Sequence, residues 1–170
     1  MKIPVFVSSP TSLSPSQEEA RSLIIRQLSD NDLEPRALGR ADYPTELPLP
    51  EVLLIARHCS GGIILGFEQF RAETGISKFG APKESTTTTL FPTPWNHLEA
   101  GILSGLRLPL LVFREDGITG GVCDNGVSDV FIHPIPSPDL KRASKEALRQ
   151  YSKGLPEKFE SNITKMLEPN

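Results

Sequence analysis

The sequence lacks most of the features that mark specialised classes of protein. Its two cysteines, Cys59 and Cys123, have neither the CxxC spacing of a zinc or redox site nor the number needed for a disulfide framework, so they read as free thiols in a reducing compartment. Three scattered histidines, His58, His97 and His133, show no metal-ligand spacing, and no metal is expected. There is no 18-residue apolar run and no signal-type start, which predicts a cytoplasmic protein without a membrane span. Basic residues are not in excess: 18 Lys and Arg against 21 Asp and Glu leave a formal net charge of -3, so there is little positive charge to displace counterions from a nucleic acid polymer or an acidic membrane. Aromatics are 6% of the chain, too few for a single-strand stacking platform. Without a P-loop or a GxGxxG fingerprint, Walker-type phosphate binding and the standard dinucleotide site are disfavoured, and no cofactor is expected.

What is present fits one ordinary globular domain over 1–170, with 38% hydrophobic residues and enough length for a real core. An apolar run at 3–7 predicts a first strand. Ser14-Pro15-Ser16-Gln17 then has capping-box form with proline at the first helical position, and Ala20, Leu23, Ile24 and Leu28 keep a helical period to about residue 29. A second strand is expected over 33–38, a proline-rich loop over 39–50 and a short helix over 51–58. The unbroken apolar run 63–67 suits a strand buried on both faces at the sheet centre. From 68 to 93 periodicity vanishes into Gly, Lys, Ser and a threonine tract, which reads as a lid or a disordered insertion. After a helix at 94–106 come strands at 108–113 and 127–132, joined by a glycine-rich loop, then helical sequence over 138–152 and 157–167. Strands alternating with helices predict an open, five-stranded parallel α/β sheet of flavodoxin-like order 2-1-3-4-5, with helices on both faces.

The helix at 94–106 is the organising stretch. Leu98, Ile102 and Leu106 recur on one face, and Glu99 leaves that face. Ala100, Gly101, Ser104 and Gly105 back the carboxylate with small residues that permit close approach by sheet or substrate. On helix physics alone, a first-turn glutamate also suits the macrodipole and water, and that reading stays open. Open parallel sheets bind ligands at the carboxyl ends of their strands. That rule selects Ser8, Ser9 and Thr11 after the first strand, Arg40 and Tyr43 after the second, Glu68 after the third and Asp116 after the fourth, with Trp95 at the start of the Glu99 helix. Hydroxyls, an arginine, aromatics and a carboxylate together suit a sugar carrying a flat base.

The segment Trp95-Asn96-His97-Leu98-Glu99-Ala100-Gly101-Ile102-Leu103, running into Pro109-Leu110-Leu111-Val112, resembles the glutamate-bearing helix and following strand of nucleoside 2-deoxyribosyltransferases. Gly126-Val127-Ser128-Asp129 before an apolar run is similar to their late loop, and the opening Val5-Phe6-Val7-Ser8-Ser9 extends the resemblance over roughly residues 3 to 135. The resemblance implies that Glu99 is a nucleophile attacking the anomeric carbon of a nucleoside. The base departs, and a glycosyl-enzyme ester is resolved by water or by another base. It also leaves room for a homo-oligomer, since related enzymes complete their sites with a neighbouring subunit's loop. One departure stands out: where the family has an aspartate at the start of the third strand, this chain has Ser60-Gly61-Gly62. Glu68, Asp116 and Asp129 remain as candidates for the acid. Trp95-x-x-x-Glu99 also has the WxxxE form of Toll-type (TIR) domains that cleave NAD. Both resemblances converge on Glu99, an N-glycosidic bond, and a small-molecule nucleoside, nucleotide or NAD. The rival is a non-catalytic nucleotide-sensing or interaction domain on the same fold.

Overall fold

The computed structural model describes residues 2–37, 48–126, 131–136 and 145–154. In chain order the elements are β1 (Ile3–Ser8), α1 (Pro15–Asp30), β2 (Leu33–Arg36), α2 (Pro48–Arg57), β3 (Gly62–Gly66), β4 (Phe70–Ser77), β5 (Ser85–Phe91), α3 (Pro94–Gly105), β6 (Leu110–Arg114), a 3-10 turn (Gly121–Cys123) and β7 (Phe131–Pro134), with residues 145–154 helical. Five strands pair in parallel in the order β2-β1-β3-β6-β7. Counted within that sheet alone, this is the expected 2-1-3-4-5. β3 is central and buried along its whole length, as its unbroken apolar run requires.

Period-two alternation divides the core between the two faces of the sheet. Val5, Val7, Ile63, Leu65, Leu111 and Phe113 pack with Ile24 and Leu28 of α1 and with Ala147 and Leu148. Phe6, Ile64 and Val112 turn the other way, onto Val52, Ile55 and Ala56 of α2 and Ala100 and Leu103 of α3. Ser8 shares the parity of Phe6, so β1 delivers its hydroxyl to the α3 face. The capping box of α1 is formed: Ser14 Oγ accepts from Gln17 N, and Gln17 Oε1 accepts from Ser14 N at 3.0 Å. On the first face, the Tyr151 hydroxyl donates toward the carbonyls of Pro109 (2.8 Å) and Gly62 (3.0 Å), which ties the C-terminal helical stretch to the amino ends of β3 and β6.

Three expectations are corrected. The buried stripe of α3 is Asn96, Glu99, Ala100 and Leu103; of the expected face Ile102 and Leu106 pack partly buried against the same core, while Leu98 is 44% exposed. Both sets of positions have helical spacing. The sheet selects the one whose base, Leu103, seats on Gly62, and this carries Glu99 inward. Close approach is accordingly provided by Gly62, where an added Cβ would lie 2.5 Å from Leu103 Cδ1 and 2.9 Å from Leu110 Cδ2. Gly101 and Gly105 face open space. Finally, the segment expected to be structureless holds the antiparallel ribbon β4–β5, with Phe70 and Phe91 paired at its root, ring centroids 6.2 Å apart. The second strand ends at Arg36. In the last strand, the described pairing covers Phe131 to Pro134, and residues 127–130 lie outside the described residues.

Candidate functional site

The site is built where β1 ends and α3 begins. Thr93 caps α3, its hydroxyl accepting from Trp95 N, and Pro94 occupies the first turn, where a missing N–H costs nothing. Glu99 lies one turn further in, on the inner stripe, and is 8% exposed. Burial pushes its carboxyl up from 4.5 to about 7, and the one opposing influence is a hydrogen bond from the Ser8 hydroxyl. The sequence reading grouped Ser8 with Glu99, and in the fold both are buried, where β1 ends against α3.

It missed Asn96. This fully buried side chain, on the same stripe one turn before Glu99, donates through Nδ2 to Ser8 Oγ at 2.7 Å and toward the Leu65 carbonyl at 3.4 Å. Its Oδ1 accepts no hydrogen bond from any described residue. The signal available was spacing: 96, 99, 100 and 103 satisfy i, i+3, i+4, i+7 as well as any other set on this helix.

The rim residues have other duties. Glu68, just after β3, holds Arg71 through both oxygens, at 2.7 and 2.8 Å, and the guanidinium keeps its carboxyl below the usual range. That disfavours Glu68 as a proton donor. Glu115, which the strand-end rule also takes in beside Asp116, accepts from Glu68 N at 2.5 Å and from Gln17 Nε2 at 3.0 Å, fastening the root of the β4–β5 ribbon to the capped end of α1. Asp116 is exposed and accepts from Gly117 N, the bond of a turn residue. Ser9 is half-buried with its hydroxyl toward Pro10 O, and Thr11 is exposed. Trp95 is 42% exposed at the mouth of α3. His97 is half-buried and lies over Gly121, where an added Cβ would come within 2.9 Å of its Nδ1. Arg40, Tyr43 and Asp129 lie outside the described residues. Among the described residues no cluster of His, Cys, Asp or Glu could hold a metal, and no helix is long and apolar enough to cross a membrane.

Chemically, the floor offers one carboxyl that is poorly solvated and, among the described residues, set against one hydroxyl and no cation. Such a group changes charge near neutral pH, the range in which proton-transfer and nucleophilic groups are set.

No protein-family model and no curated protein sequence matches the chain. Among solved structures it is similar to the CMP N-glycosidase BcmB of Clostridium botulinum, with a TM-score of 0.54 and 14% identity over 87% of this chain and 98% of that one. It is also similar to the flavodiiron core of Flv1 from Synechocystis sp. PCC6803, with a TM-score of 0.50 and 11% identity over 92% of this chain. The chain corresponds to 36% of that protein. These likenesses show the fold, an open flavodoxin-like α/β sheet.

Proposed function

We propose that the protein cleaves the N-glycosidic bond of a nucleoside, a nucleotide or NAD, with Glu99 as nucleophile. The observation that carries this reading is the buried Glu99 carboxyl with Ser8 as its partner, at the edge where open parallel sheets take their ligands. A carboxylate deprived of water and of a counter-cation is destabilised in the free protein and relieved as it bonds to a carbon gaining positive charge. In the first step a Glu99 oxygen bonds to the anomeric carbon, the bond to the base nitrogen breaks, and its electron pair leaves with the base. Water then attacks the glycosyl ester, one proton passes to solvent, and the carboxylate is restored. A second free base in place of water would give exchange. The likeness to a CMP N-glycosidase supports this class of reaction and puts pyrimidine monophosphates first among substrates to try.

The leaving group favours a second candidate within the class. Glu68 is committed to Arg71, and Asp116 to a turn, so neither is a free acid beside the floor. A base that is already cationic, such as the pyridinium of NAD, departs neutral and needs no proton. The test is free-base release, read by chromatography, from ribo- and deoxyribonucleosides, their monophosphates and NAD, comparing the native protein with Glu99→Gln. Release by the native protein and its loss in the variant is the expected result. No release from any member of the panel at high concentration of folded protein would overturn the enzyme reading in favour of nucleotide sensing.

A further inference from the structure

We propose that Asn96 is a positioning residue for Glu99: it occupies a lone pair of the Ser8 hydroxyl and thereby commits that hydroxyl's one proton to the Glu99 carboxylate. The proposal rests on the reading of Glu99 as nucleophile for its catalytic consequence, but not for its chemistry.

The direction of the relay follows from donor and acceptor chemistry. The Leu65 carbonyl can only accept, so the face of the Asn96 amide turned toward it is the NH2 face. The same Nδ2 is 2.7 Å from Ser8 Oγ, which makes Ser8 the acceptor in that bond. A hydroxyl that accepts from one side has a single proton left to give, and among the described residues the acceptor beside it is Glu99, on the same buried stripe as Asn96 one helical turn on, whose ionised form Ser8 favours. Without Asn96, Ser8 would be free to rotate its proton away and present a lone pair to Glu99, which would favour the neutral acid. With Asn96 in place the hydroxyl is a fixed donor, preorganised for the ionised form.

The rest of the surroundings leave the relay in charge. The elements packed on α3 are β1, β3, α2, β6 and the 3-10 turn. β1 and β3 carry no ionisable side chain. α2 carries Glu51 and Arg57, with His58 just beyond it. β6 carries Arg114, whose guanidinium donates to the Ile118 carbonyl, and the turn carries Cys123 with Asp124 beside it. On α3 itself, His97 lies over Gly121. None of these charges acts appreciably on Glu99, whose ionisation answers to burial and to Ser8. Asn96 is also a costly choice for a buried helical position. It is a poor helix former, and its buried Oδ1 goes without a described donor, where leucine would pack at no such penalty.

The test is the titration midpoint of Glu99, read from its carboxyl carbon by NMR in the full-length protein, in the native chain, Asn96→Leu, Ser8→Ala and the double variant. Ser8→Ala is expected to raise the midpoint by about one pH unit and Asn96→Leu by about half as much, while in the double variant Asn96→Leu adds nothing further. Equal shifts from Asn96→Leu with and without Ser8, or no shift in either background, would overturn the relay. If Asn96→Leu fails to fold, as its amide spectrum would reveal, Asn96→Ala takes its place in the same cycle. Because the midpoint is read without substrate, the relay stands or falls separately from the glycosidase reading. If that reading holds, the acidic limb of kcat/KM moves with the midpoint in each variant.

Discussion

The floor of the site on α3 and the rim at the root of the β4–β5 ribbon treat a glutamate in opposite ways. Glu99 is buried and given one neutral hydroxyl, and burial lifts its carboxyl to about 7. Glu68 is given a bidentate guanidinium in the open, and its carboxyl falls below the usual range. One chain thus makes a carboxyl that changes charge near neutrality and another held toward its ionised form, using burial in one place and a counter-charge in the other. A glutamate held like Glu68 is an anchor, whereas one held like Glu99 has reactivity to spend.

The sharpest way to break this comparison is to neutralise the floor. Glu99→Gln is expected to lower base release by on the order of a thousandfold or more, as loss of a nucleophile does, measured as kcat/KM on the best substrate of the panel. The same change should stabilise the fold. Between 4.5 and about 7 the folded protein retains a Glu99 proton that the unfolded chain has released, so native stability falls as pH rises through that window and levels off above it. The variant, neutral at every pH, should match the native protein below 4.5 and exceed it by on the order of 3 kcal/mol above 7, read by urea denaturation across pH. A native protein no less stable at pH 8 than at pH 5, relative to the variant, would mean that the floor is wetter than described. In kinetics, kcat/KM should rise with pH through an inflection near 7, because the nucleophile is the ionised form. The smallest effect is expected at the rim. Glu68→Gln should leave release within about twofold and should not move the inflection, since an exposed pair is screened by solvent. A displacement of more than about half a unit would show floor and rim to be electrically one site.

The sheet was legible from the sequence because its central strands are buried on both sides and therefore apolar without interruption, as at 63–67, and because α1 begins at a capping box whose chemistry is local. The ribbon was not legible. Periodicity records one-sided burial, and the tract from Ser85 to Thr88 is exposed at every position, so nothing in it alternates. The face of α3 was misread for the converse reason: its buried stripe includes an asparagine and a glutamate, and a search for apolar spacing passes over them in favour of Leu98. Glu99 itself could be picked out, since a carboxylate among small and apolar residues is conspicuous in one dimension. Asn96 could not, because its partner Ser8 is 88 residues away and only the parallel pairing of β1 and β3 beneath α3 brings the two together.

Gly62 has no side chain, and Leu103 of α3 drops its tip into the space a Cβ would take. A larger residue there would strike the tips of Leu103 and Leu110, which would turn aside or, where packing holds them, lift the helix. Lifting would let water down to Glu99 and return it toward the acidity of an ordinary surface carboxylate. Helix height would then work as a dial on proton affinity, with the packing at the start of β3 as one of its settings.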